Sequence, residues 1–138
     1  EELGWRGFAL DVLQRRRSLL VSSLVVAPFW WAWHLPLFFM KGTTQSSWGV
    51  GTPDFWLFLL AIWPLSVLHA WVYDRNRRSI LAAVLLHFAY NFSLSLVYPI
   101  SVSVKLLQAI LLVVVATGMV LVDGSRRRSG SGVKKGQL

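Results

Sequence analysis

Leu19-Leu20-Val21-Ser22-Ser23-Leu24-Val25-Val26-Ala27-Pro28-Phe29-Trp30-Trp31-Ala32-Trp33-His34-Leu35-Pro36-Leu37-Phe38-Phe39-Met40 is an almost uninterrupted apolar run. As a helix it extends roughly 30 Å, which is the thickness of the hydrocarbon core of a bilayer. Pro28 and Pro36 interrupt it, and the pair should bend the helix or open its backbone beside His34. The chain around this run has 138 residues, is 55% hydrophobic and keeps its charges in clusters. Those properties describe one all-α domain, a polytopic membrane helix bundle rather than a soluble globule.

The same pattern repeats to the C-terminal side. Lys41 to Pro53 is rich in Gly, Ser and Thr and reads as an aqueous loop. Thr52-Pro53-Asp54 looks like a helix start, with Thr52 as cap. Apolar spans follow at Phe55–Tyr73, Ile80–Tyr98 and Ile100–Val122, with Ser79 as cap of the middle one and Pro99 as its stop. To the N-terminal side, residues 1–14 read as an amphipathic or half-spanning helix. The expected fold is therefore a half-span helix plus four transmembrane helices over 1–122. Residues 123–138 read as a basic, disordered tail. The chain opens on an acid pair rather than on Met, and is expected to be the C-terminal part of a longer protein.

Arg15-Arg16-Arg17, the Arg75–Arg78 turn and Arg126-Arg127-Arg128 alternate with loops at 41–53 and 99–101 that hold a single Lys. The positive-inside rule then places the basic clusters and the C-terminus in the cytoplasm, in the plasma membrane of a prokaryote. The net charge of +8 is membrane-orienting and calls for no nucleic-acid partner. Eight Trp and eight Phe suit interfacial belts against membrane lipid. The absence of Cys excludes disulfides and thiolate chemistry.

Polar residues inside such spans mark function, because a charge at the centre of a span costs roughly 2.5–3.5 kcal/mol to insert. Glu2 and Arg6 are one helical turn apart and form a natural pair, which leaves Glu1 about 100° away and unpaired. Counting ~1.5 Å per residue, Glu2 lies ~20 Å from the Arg cluster that ends its helix and His34 ~25 Å from the same cluster. His87 and Asn91 lie ~12 and ~18 Å in from Ser79. Their i, i+4 spacing aims both at one point, as two donors of an oxyanion hole would be. A carboxylate beside a neutral imidazole activates water. His34 has Trp30 one turn before it on its face. His69 reads as a structural histidine bonded to a backbone carbonyl. Lys105, near the outer end of its helix, is expected to snorkel to the interface. Asn91-Phe92-Ser93 matches a glycosylation sequon but lies inside a span, beyond reach of that modification.

These residues resemble the CPBP intramembrane proteases, the family of CAAX proteases and bacteriocin-processing enzymes. Its Glu-Glu-x-x-x-Arg motif is matched by Glu1, Glu2 and Arg6. Its aromatic residue before a histidine is matched by Trp30 and His34, with Trp in place of the usual Phe. Its His-x-x-x-Asn/Asp motif is matched by His87 and Asn91. The resemblance implies an intramembrane endopeptidase acting near the C-terminus of a peptide or lipidated protein. Glu1 would be the base, His34 its partner, His87 and Asn91 the oxyanion donors, Glu2 with Arg6 a structural pair, and Trp30 a substrate contact. It also implies a second mechanism, in which Glu1, His34 and His87 ligate zinc; the metal-free one is favoured, since no His-Glu-x-x-His helix is present. Two other classes compete: a non-enzymatic scaffold or bacteriocin-immunity protein, and a proton pathway or transporter. Gly-interrupted paired repeats, the mark of many transporters, are absent from the sequence.

Overall fold

The computed structural model describes residues 1–133, with side chains described as far as Gly124. Within them every regular element is helical. Helix α1 covers residues 2–14, with α-helical turns at Glu2–Gly4 and Asp11–Gln14 on either side of a π-helical stretch, Trp5–Leu10. Helix α2 is Leu19–His34 and runs into a 3-10 turn at Leu35–Phe38. Helices α3, α4, α5 and α6 are Thr44–Trp48, Pro53–Arg75, Ile80–Leu96 and Val102–Val133.

The boundaries have local causes. Ser18, Thr52 and Ser79 each accept a hydrogen bond from the backbone N–H three residues on, at 3.3 Å in all three cases. Each satisfies one of the donors that a helix start leaves open. Pro53 sits in the first turn of α4, where its missing N–H costs nothing. Pro28 is accommodated inside α2, whereas Pro36 coincides with the change from α to 3-10 winding directly after His34.

Helix α4 is central: it packs on α2, α5 and α6. Ser22, Ser23, Ala27 and Ser66 are buried along the two helices α2 and α4, and Ser66 Oγ donates to the Ser23 carbonyl at 2.9 Å from α4 to α2. Close approach through small residues and a few interhelical hydrogen bonds is how helices associate where lipid removes the hydrophobic drive. Val26, Ala27, Trp30, Ile62 and Leu65 form the main buried cluster. A second cluster, Leu10, Leu19, Ala70 and Tyr73, lies toward the basic end. There Arg78 bonds Asp11 at 2.8 Å and Gln14 at 3.1 Å, and Arg75 pairs with Asp123. The end of α1, the end of α4 with the turn that follows it, and the Asp123 turn of α6 thus meet on one side of the bundle.

Three helical segments among the described residues are long and apolar enough to cross a membrane: Leu19–Phe38, Pro53–Arg75 and Val102–Gly124. The expected fourth span, 80–98, is shorter. Helix α5 ends at Leu96, giving 17 residues, because Val97 has already left helical geometry and Pro99 disfavours it in Tyr98. The loop 41–53 holds the short helix α3, capped by Thr43, which accepts from Ser46 N–H at 3.1 Å. Helix α6 runs beyond Val122, where the sequence reading starts a disordered tail. Its backbone stays helical over 123–133, and Asp123 secures the first of those turns by accepting from Trp71 Nε1 and Arg75. Residues 134–138 of that expected tail lie outside the described residues.

Candidate active site

Helix α1 reaches the other helices closely enough to share polar groups with them. Gly7 faces the start of α5, where an added Cβ would sit 3.0 Å from Ile80 Cδ1. This contact seats α1 against α5 and brings Glu2 to His87: His87 Nδ1 lies 2.8 Å from Glu2 Oε1. Arg6 Nη1 straddles the same carboxylate, 3.1 Å from Oε1 and 3.0 Å from Oε2. Glu2 is 3% exposed and Arg6 1%, so this is a buried ion pair with a histidine attached. The guanidinium carbon stands 4.1 Å above the Trp30 ring, a cation–π contact.

Glu1, as the helical spacing requires, takes a different direction. Its Oε2 accepts from Trp30 Nε1 at 3.1 Å and lies 3.9 Å from His34 Nε2. His34 Nδ1 is 2.8 Å from the Trp30 carbonyl. Since a carbonyl can only accept, Nδ1 carries the hydrogen, and Nε2 is the ring nitrogen that faces Glu1. The 3.9 Å gap exceeds a direct hydrogen bond and suits two groups that share one water.

Glu1, His34, His87 and Asn91 all line one cavity of about 600 Å³. Its lining also includes Trp48, Asp54 and Lys105. Two placements differ from the sequence expectation. Trp30 does not line the cavity: it is 1% exposed and packs edge-on against His34, His69 and His87. Its large ring fills the centre of the cluster, so it holds Glu1 from behind instead of touching substrate. Lys105 does not snorkel outward, because Asp54 at 2.9 Å and the Trp48 ring at 4.0 Å hold it in the cavity wall.

In the zinc set of Glu1, His34 and His87, His87 would have to bind through Nε2, because its Nδ1 is engaged by Glu2. The side chains whose ligand atoms gather within 4.8 Å of one another are Glu2, His69 and His87. A cation there would stand against Arg6, which already holds the only carboxylate of the set.

Residues 1–93 match the family described as Type II CAAX prenyl endopeptidase Rce1-like. The chain belongs to this family. It is 36% identical over 126 residues to the CAAX prenyl protease 2 of Methanococcus maripaludis, an alignment covering 89% of this chain and 45% of that protein. The chain thus spans slightly under half the length of that relative. Membership in the family and the three apolar helices together make it an integral membrane protein.

Sequence reasoning missed one member of the cluster. His69 donates from Nδ1 to the Leu65 carbonyl at 2.8 Å, the structural bond expected of it. Yet it is fully buried, its Nε2 has no hydrogen-bond partner, and its ring stacks edge-on against both Trp30 and His87. The signal was available: His69 lies six residues, about 9 Å, in from Arg75 on α4, within one turn of the depth of His87 on the neighbouring helix.

Proposed function

We propose that the protein is an intramembrane endopeptidase that hydrolyses a peptide bond near the C-terminus of a membrane-associated or lipidated peptide, without a metal. The observation that carries this reading is the 3.9 Å separation of Glu1 Oε2 and His34 Nε2 on a cavity also lined by His87 and Asn91. A water held between Glu1 and His34 gives its proton to the Glu1 carboxylate as its oxygen attacks the scissile carbonyl. The carbonyl oxygen, now negative, receives hydrogen bonds from His87 and from the Asn91 amide. Collapse of the intermediate breaks the C–N bond, and the protonated Glu1 returns its proton to the departing amine.

The part of His87 follows from its tautomer. With Nδ1–H given to Glu2, donation into the cavity comes from Nε2, and that requires the ring protonated at both nitrogens. The Glu2 carboxylate in contact is the counter-charge for such an imidazolium. Trp30 acts through Glu1, since its indole N–H fixes one carboxylate oxygen and leaves the other for the water.

The test is hydrolysis of an S-prenylated CAAX peptide by the protein expressed from its complete gene. Activity is expected to survive exhaustive chelation; loss on chelation with recovery on zinc would replace this mechanism with a metal-dependent one on Glu1, His34 and His87. Asn91→Ala removes one oxyanion donor and should lower turnover by roughly 10²- to 10³-fold with KM nearly unchanged. A change confined to KM would instead make Asn91 a binding residue.

The orientation proposed for the bundle puts the basic end, where Arg75 and Arg78 tie α4 to α6 and α1, in the cytoplasm. Reporter fusions at Gln45 and after Leu138 are expected on opposite sides of the membrane, with the latter cytoplasmic. Both on one side would overturn the orientation and the number of crossings together.

A further inference from the structure

The wall of the cavity also carries a charged group that the hydrolytic residues do not use. Lys105 comes from the first turn of α6, beyond the residues that match the family. Apart from the two histidines, it is the only basic side chain among the described residues lining the cavity. Its side chain is 12% exposed, with the ammonium group bonded to Asp54 at 2.9 Å and set 4.0 Å from the centre of the Trp48 ring. Asp54 is in the first turn of α4, where the helix dipole also favours its charge. An ionisable side chain held in the wall of an intramembrane cavity marks a functional site more often than packing. Asp54 takes one of the three ammonium hydrogens, and two are left for a second acceptor.

Resting on the peptidase reading above, we infer that Lys105 is the receptor for the α-carboxylate at the C-terminus of the substrate. An enzyme that cuts near a chain end must tell that end from internal chain, and the group that differs is the terminal carboxylate. Such a charge enters a low-dielectric cavity only if a cation meets it. Thr44, Gln45 and Gln108 line the same cavity and add neutral polar groups to it.

The spacing also sets the length of the released fragment. The Phe58 ring packs on the His34 ring with centroids 5.5 Å apart. Asp54 lies one turn before Phe58 on α4, about 6 Å further along the axis. A scissile carbonyl beside Glu1 and His34 and a chain end at Lys105 are then about one helical turn apart along α4, the reach of about two extended residues. Longer tails overshoot the ammonium group, and internal peptide bonds offer it no negative partner.

The experiment compares an S-prenylated CAAX peptide bearing a free C-terminal acid with the same peptide as its C-terminal amide, using the protein from its complete gene. The wild type is expected to prefer the acid by about 10- to 100-fold in kcat/KM, the range of a charge-assisted hydrogen bond, with the difference in KM. Lys105→Gln should abolish the preference by raising KM for the acid to that for the amide, with folding certified separately by its unfolding midpoint in detergent. Lys105→Arg should retain the preference. Equal cleavage of acid and amide by the wild type overturns the carboxylate site and leaves the peptidase reading standing. Equal loss on both substrates in Lys105→Gln also overturns it, since the lysine would then act through the fold. Cleavage of neither peptide by the wild type sinks the peptidase reading itself.

Discussion

Replacing Glu1 by glutamine is expected to lower peptide hydrolysis by about 10²- to 10⁴-fold, the span general-base catalysis contributes. Glutamine has the shape of glutamate, and its amide oxygen can still accept the Trp30 indole N–H that Glu1 accepts at 3.1 Å. What it cannot do is take a proton from water. The side chain is one-third exposed on the cavity and, apart from its approach to His34, makes no ion pair among the described residues. The variant should therefore fold like the wild type, with an unfolding midpoint in detergent that is essentially unchanged. That combination of full stability and lost turnover separates a catalytic carboxylate from a structural one. Full activity in a folded Glu1→Gln protein would falsify the assignment and move the scaffold or immunity reading to first place.

The depth at which the polar residues meet was legible because helices convert residue counts into distances. Glu1, His34 and His87 each stand a predictable number of turns from a charged cluster, and those clusters mark the membrane surface. The caps at Thr52 and Ser79 were legible for a similar reason, since Ser or Thr before an apolar run answers a local need for hydrogen-bond acceptors. What sequence could not supply was rotation about each helix axis. His69 lies within one turn of the depth of His87, but only the packing of α4 against α2 and α5 decides that its ring turns inward. Trp30 likewise stands on the face of His34, and yet the indole goes behind Glu1 because Arg6 arrives from α1 to cover its ring. Lys105 looked like a residue free to reach the interface, because its partner Asp54 is 51 residues away in sequence. Helix length was overestimated at α5 and underestimated at α6. In both places hydropathy was made to stand for backbone geometry, which Pro99 and the contacts of Asp123 decide.

Glu2→Gln should unfold the protein far more readily than Glu1→Gln, although the two residues are adjacent and chemically identical. Glu2 and Arg6 are both almost wholly buried, and Arg6 Nη2 already lacks a hydrogen-bond partner. Neutralising the carboxylate leaves the guanidinium as an uncompensated buried charge, at a cost of about 3–5 kcal/mol. Against a total stability on the order of 5–15 kcal/mol, that is a large share. The double replacement Glu2→Gln with Arg6→Met should recover most of it, because removing both members of a buried pair is often close to neutral. Turnover should not recover with it. The glutamine amide oxygen can still accept the Nδ1 hydrogen of His87, but it offers no negative charge to a ring protonated at both nitrogens, so oxyanion donation from Nε2 is weakened. Activity per folded molecule in the double variant is expected to stay at least about 10²-fold below the wild type, as for loss of an oxyanion donor. Denaturant unfolding in detergent gives the stability, and single-turnover hydrolysis gives the chemistry. If stability and turnover return together, Glu2 serves Arg6 alone and His87 donates without its help.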